Sequence, residues 1–188
     1  MTDIGEPRNI LIVLLGALGD VARGSTIIPP LRRRFPEAKI SWLVETKSAS
    51  FVRLNERVDI VYEFVRSRWW EGAELLRELR QRRFDLVLDL QRHLKSGFFS
   101  LSTGAPCRIG VNRKNAKEGN WLFNTDHCGY IPDSESKMEL YRAFLIALGI
   151  KEGLDHSGGF RREQFLPLVP DEVLRLPGRR LGVVMGST

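Results

Sequence analysis

Ile10-Leu11-Ile12-Val13-Leu14-Leu15-Gly16-Ala17-Leu18-Gly19-Asp20 is the stretch on which the fold turns. Six consecutive apolar residues are the pattern of a strand covered on both faces, as in a parallel sheet. A glycine ends the run and opens a tight loop. Beyond Asp20 the apolar residues take helical spacing through Leu31 and Phe35, with Pro29-Pro30 bending that helix and Pro36 closing it. Strand, tight loop and helix form the first half of a βαβ unit.

The same alternation runs on along the chain. Residues 40–44 read as a strand, 48–54 as a short helix, 60–64 as a strand, 69–83 as an amphipathic helix and 84–90 as a fourth strand. A helix over 94–101 and a short strand over 107–110 follow. The pattern predicts an α/β fold: a Rossmann-like open parallel sheet with helices on both faces. Residues 111–133 are polar and long for an internal connection, so a substrate-facing loop is expected there. A helix over 135–148 stops at Gly149. The organisation read from this is a domain over residues 1–150, a Gly- and Pro-punctuated linker over 151–180, and over 181–188 the first strand of a second domain.

Composition narrows the classes further. With 188 residues, 43% hydrophobic and 28% charged, the chain has room for one domain with its own core, and disordered or collagen-like readings are excluded. Two cysteines, Cys107 and Cys128, supply neither a disulfide framework nor zinc-ligand spacing, which fits a reducing, cytoplasmic setting with no metal. His93, His127 and His156 have no paired spacing either. The apolar run at residues 10–15 is far too short to span a bilayer. A net charge of +6, with runs such as Arg32-Arg33-Arg34, makes an anionic partner plausible, although each run by itself reads as a solvated helix face.

Chemistry concentrates at Gly16-Ala17-Leu18-Gly19-Asp20, placed between a strand and a helix where open α/β sheets bind ligands. Glycines at Gly16 and Gly19 let a substrate approach the backbone. The spacing is not that of a dinucleotide fingerprint, which needs a third glycine, and only Glu45 stands near the place of a ribose-binding acid. Asp20 has two readings. It can cap the helix, or it can serve as a general base that takes a proton from an attacking hydroxyl.

An ordered set of segments carries a resemblance: the Gly16-x-x-Gly19-Asp20 loop, Leu31 to Pro36, Trp42-Leu43-Val44-Glu45, Phe84 to Gln91 followed by Leu94-Lys95-Ser96, Arg108-Ile109-Gly110, Glu118-Gly119 and Leu122-Phe123-Asn124. From Ile10 to about Ile150 the chain resembles the N-terminal domain of the ADP-heptose:lipopolysaccharide heptosyltransferases, glycosyltransferase family 9 of the GT-B fold. The resemblance implies transfer of a heptose from ADP-heptose to the lipopolysaccharide inner core. This domain would bind the acceptor and a second domain most of the ADP-sugar, with no cofactor. Asp20 matches the family's proposed general base. Gly16, Gly19, Arg66, Arg68, Lys95 and Arg113 are the implied acceptor contacts, with guanidinium groups suited to phosphates or acidic sugars. The implied partners are an acidic glycolipid core precursor and the ADP-sugar, without nucleic acid, and with peripheral contact to the cytoplasmic face of the inner membrane. The chain departs from many relatives at Arg92, where a glycine is common, at Val111-Asn112 and around Ser136. Two other readings remain: a non-catalytic module that binds an anionic glycolipid or partner, and a nucleotide-binding Rossmann enzyme.

Overall fold

The computed structural model describes residues 4–65, 72–165 and 175. Its six strands are β1 (Asn9–Val13), β2 (Lys39–Glu45), β3 (Ile60–Phe64), β4 (Leu86–Asp89), β5 (Cys107–Gly110) and β6 (Asp126–His127). They form one sheet in the order β3-β2-β1-β4-β5-β6, and every neighbouring pair is parallel. This is the doubly wound order, with the direction of strand addition reversing between β1 and β4.

The unbroken apolar run in β1 has a simple cause. Ile10, Ile12 and Leu14 pack into one core layer, while Leu11, Val13 and Leu15 pack into the other. Alternate side chains of a strand point to opposite faces, so a central strand under two helical layers must be apolar throughout. The first layer is covered by α1 (Leu18–Gly24), α2 (Ile28–Arg34), α3 (Thr46–Arg53) and α6 (Lys137–Ala147), through residues such as Val21, Leu31, Val52 and Phe144. The second is covered by α4 (Gly72–Gln81) and α5 (Leu94–Ser102), through Leu79 and Phe99.

Three segments differ from the sequence reading. The expected single helix up to Phe35 is two helices joined by a 3-10 turn over Ser25–Ile27, and Pro29-Pro30 sit at the start of α2. Proline is tolerated there because the first helical N–H groups have no intrahelical partner. The 111–133 connection holds a 3-10 turn at Asn120–Phe123 and the edge strand β6, whose pairing with β5 periodicity could not reveal in two residues. Within the expected linker, Asp155 N–H donates to Thr26 O (3.0 Å), Asn55 Nδ2 donates to Gly158 O (2.7 Å) and the Phe160 ring lies 4.6 Å from that of Phe51. Residues 151–165 therefore pack on the domain. The strand expected over 181–188 lies outside the described residues.

The arginine run is largely structural. Arg32 donates to Asp59 Oδ2 (2.7 Å) and to the carbonyls of Ala38 and Arg57, Arg33 pairs with Glu152 (2.6 Å), and Arg34 pairs with Glu6 (2.7 Å). Glu6, Ala38 and Asp59 precede β1, β2 and β3, so this cluster belongs to the amino-terminal edge of the sheet.

Candidate active-site crevice

The loops that follow β1 and β4 meet at the reversal point. Leu90 N–H donates to Val13 O (3.1 Å), and the Gln91 side chain accepts from Leu15 N–H (2.7 Å), which stitches the two loops together. Between them and the start of α6 lies an open crevice of about 100 Å³ whose lining includes Gly16, Asp20, Gln91, Arg92, His93 and Lys137.

Asp20 is the third residue of α1. The cap position belongs to Ala17, and no side-chain cap bond is made, so the capping reading does not describe this carboxylate. Instead Oδ1 receives Arg23 Nη1 at 2.6 Å and Lys137 Nζ at 2.7 Å, with the Asp20 side chain 27% exposed. The Tyr141 hydroxyl donates to the Asp20 carbonyl at 3.4 Å. Burial, and then the Asp20 charge, push the Tyr141 phenol up from its ordinary value. Gly16 has a steric reason to be glycine, since a Cβ there would lie 3.2 Å from Asp20 Cβ and 3.4 Å from Oδ2.

The other expected site residues that the structure describes are not among those lining the crevice. Gly19 sits within α1 outside the crevice lining, and a Cβ on it would make ordinary contact with Arg23 at 3.7 Å. Lys95 on α5 places its ammonium 4.0 Å from the centroid of the Phe64 ring and 3.9 Å from Glu45 Oε1. Glu45 ends β2, where a ribose-binding acid would stand, and it is also paired with Lys47 at 3.1 Å. Arg113 stacks its guanidinium 4.5 Å over the Trp121 ring, outside the crevice lining. Arg66 and Arg68, with Trp69 and Trp70, lie outside the described residues, directly after β3 in sequence.

Sequence reasoning missed the wall of the crevice. Arg92 pairs with Asp133 (3.1 Å) and donates to Asn115 O, while its own carbonyl accepts from Lys117 N–H (2.7 Å). Glu118 approaches His93 Nδ1 at 3.3 Å and accepts from Leu94 N–H at 3.3 Å. The long 111–133 connection is thereby docked against the loop after β4. Behind that loop Asp89 is fully buried. Its Oδ1 accepts from Gln91 N–H (3.2 Å), and its Oδ2 accepts from the side-chain amides of Asn120 (2.7 Å) and Asn124 (3.5 Å). Burial pushes the Asp89 carboxyl up to about 7, against the opposing pull of those hydrogen bonds. One signal was available in the sequence, a carboxylate inside an otherwise apolar strand.

This network needs close approach of the 120–124 segment, and Gly110 provides it. A Cβ at Gly110 would sit 2.6 Å from Asn124 Cγ. Gly110→Ala is expected to lower the unfolding free energy by about 1–3 kcal/mol, because the added methyl must displace a hydrogen-bonded, buried amide. Denaturant titration of the two proteins checks this, and an unchanged midpoint refutes the packing argument.

Among the described residues no group of three or more His, Cys, Asp or Glu is placed to hold a metal ion, and no helix is long and apolar enough to cross a membrane. Burial pushes both cysteine thiols up to about 11.

Comparison with known proteins bears on the same region. Residues 73–148 match glycosyltransferase family 9 (heptosyltransferase). The chain is 24% identical over 117 residues to the lipopolysaccharide core heptosyltransferase OpsX of Haemophilus influenzae, covering 62% of this chain and 34% of that protein. Among solved structures, E. coli heptosyltransferase WaaC with ADP superposes with a TM-score of 0.71 at 22% identity, covering 85% of this chain and 53% of that one. E. coli ADP-heptose lps heptosyltransferase II gives 0.61 at 20% identity, covering 80% and 43%. The chain thus spans about a third of the curated relative (34%) and about half of the first structure (53%). The structural likeness shows the fold, and the family match takes in β4, the wall of the Asp20 crevice and α6. On these grounds the segment over residues 73–148 is similar to glycosyltransferase family 9 (heptosyltransferase), and the fold is that of the solved heptosyltransferases.

Proposed function

We propose that the protein transfers a heptose from ADP-heptose to the inner core of lipopolysaccharide, and that this chain supplies the acceptor side of the reaction. The observation that carries the reading is the position of Asp20, whose carboxylate lines a crevice at the reversal point of the sheet with Lys137, Arg23 and Arg92 close by. In this reading an acceptor hydroxyl enters over Gly16. Its proton passes to Asp20 as the oxygen attacks the anomeric carbon, and ADP leaves with the electron pair of the broken C–O bond. The net charge of +6 favours an acceptor bearing phosphate or carboxylate groups. The ADP-sugar is held mainly by a second domain. No cofactor is required by this chemistry. The setting is cytoplasmic, with peripheral contact at the inner membrane where a glycolipid acceptor resides.

The test is reconstitution. The full-length natural protein is incubated with ADP-heptose and a Kdo–lipid A acceptor, and products are read by mass spectrometry. The expected result is acceptor heavier by one heptose with release of one ADP. Saturable acceptor binding with no turnover, with this or other sugar nucleotides, would replace the reading with a non-catalytic glycolipid-binding module.

A further inference from the structure

The two oxygens of Asp20 stand in unequal surroundings. Among the described residues, the hydrogen bonds to this carboxylate fall on Oδ1, from Arg23 Nη1 and Lys137 Nζ. Oδ2 lies on the Gly16 side, where the missing Cβ leaves room. Arg23 comes from the same helix, three residues on, and pairs of this kind are common on helix surfaces. Lys137 arrives from 117 positions away. As the first residue of α6 it is a cation at the positive end of a helix, which is locally unfavourable. The adjacent helix-start residue Ser136 makes no side-chain cap bond, and Glu139 pairs with Arg142, so neither offsets the placement of Lys137. Residues that break a local rule in this way tend to mark function. The Lys137 side chain is 56% exposed, so its ion pair with Asp20 adds little to stability.

We propose that Lys137 is a positioning residue that, by engaging Oδ1, leaves Oδ2 over Gly16 as the oxygen that receives the acceptor's proton. The inference rests on the general-base reading given above. Protonating Oδ1 would disrupt two charge-assisted hydrogen bonds, whereas protonating Oδ2 keeps both. The balance is simple. The acceptor O–H bond breaks and its proton joins Oδ2, the acceptor oxygen bonds the anomeric carbon, and the nucleotide departs with the electrons of its bond to the sugar. Without Lys137 the carboxylate is held by Arg23 alone, a partner on its own helix, and its orientation toward the crevice is less defined.

The experiment compares wild type, Lys137→Met and Lys137→Arg in the full-length protein, measuring kcat, both KM values and the melting temperature. In Lys137→Met, kcat is expected to fall about tenfold with both KM values within about twofold of wild type, the mark of an interaction used only in the transition state. Lys137→Arg should recover most of the rate, since a guanidinium can reach the same oxygen. An unchanged kcat, a loss confined to acceptor KM, or a loss that arginine does not recover overturns the proposal. Asp20→Asn is run alongside. If that variant is inactive and Lys137→Met is fully active, only the role of Lys137 falls; if Asp20→Asn is active, the general-base reading falls and this one with it.

Discussion

Asp20→Asn is expected to lower heptosyl transfer by about a thousandfold, within the range usual for loss of a general base, while both KM values stay near wild type. Asparagine keeps the shape of the side chain and can still accept from Lys137 and Arg23 through its oxygen. It cannot take a proton from a hydroxyl at neutral pH. The fold should hardly notice the change. The two partners are 48% and 56% exposed, so the pairs contribute roughly 0–1 kcal/mol, and the melting temperature should move by no more than about 4 °C. Steady-state kinetics and a thermal melt on the same preparations decide the matter. A variant retaining a tenth of the wild-type rate, or one that loses activity by unfolding, removes Asp20 from the proposed chemistry.

A second large effect is expected at Asp89, and it is an effect of pH on stability. Its carboxyl titrates at about 7 in the fold, against an ordinary value of 3.8. Between those values the folded chain holds a proton that the unfolded chain has released. The contribution of protonated Asp89 is therefore fully present below about pH 4 and is lost as pH rises through about 7, after which it no longer changes. Full conversion corresponds to on the order of 4 kcal/mol. Asp89→Asn never ionises, but its amide nitrogen donates and cannot accept, so one of the two oxygens that take hydrogen bonds from Gln91, Asn120 and Asn124 is lost as an acceptor. Relative to the variant, whose residue 89 does not titrate, the wild type should lose a few kcal/mol of unfolding free energy between pH 4 and pH 8, whatever the offset between the two proteins at pH 4. Urea titrations across this range test the claim; parallel curves would mean that Asp89 titrates as an ordinary carboxylate.

The Asp89 network also shows where sequence reading reaches its limit. Phe84 to Leu90 reads correctly as a buried strand from its apolar composition, and the observed β4 lies within it. The reason for an aspartate inside that strand is held by Asn120 and Asn124, thirty-one and thirty-five residues further on. Nothing in local periodicity links them. The 3-10 turn at Asn120–Phe123 and the two-residue strand β6 are likewise too short for a period to register. Their positions are fixed by what they dock against: Gly97, where a Cβ would come within 2.8 Å of Phe123, and Gly110, which leaves room for Asn124.

Charge was harder to place than hydrophobicity. Arg32, Arg33 and Arg34 are the most conspicuous cations in the sequence, yet their guanidinium groups tie together the amino-terminal edge of the sheet. The cations beside Asp20 are Arg23, close by in sequence, and Lys137, an isolated residue at a helix start. Lys95 and Arg113, expected near the acceptor, each rest against an aromatic ring, over Phe64 and Trp121.

The sequence by itself determined the α/β class, the parallel sheet, the burial of β1 on both faces and the glycine turn that carries Asp20. Each of these follows from composition and period within a window of ten to twenty residues, because burial on one face or two is written into the alternation of neighbouring side chains. Only the tertiary structure decided that β1 and β4 adjoin at the reversal point, that Gln91 bridges their loops, and that Lys137 is the distant partner of Asp20. Those relations join residues about 75 to 117 positions apart, and they come from the packing of whole elements, which no short stretch of chain encodes.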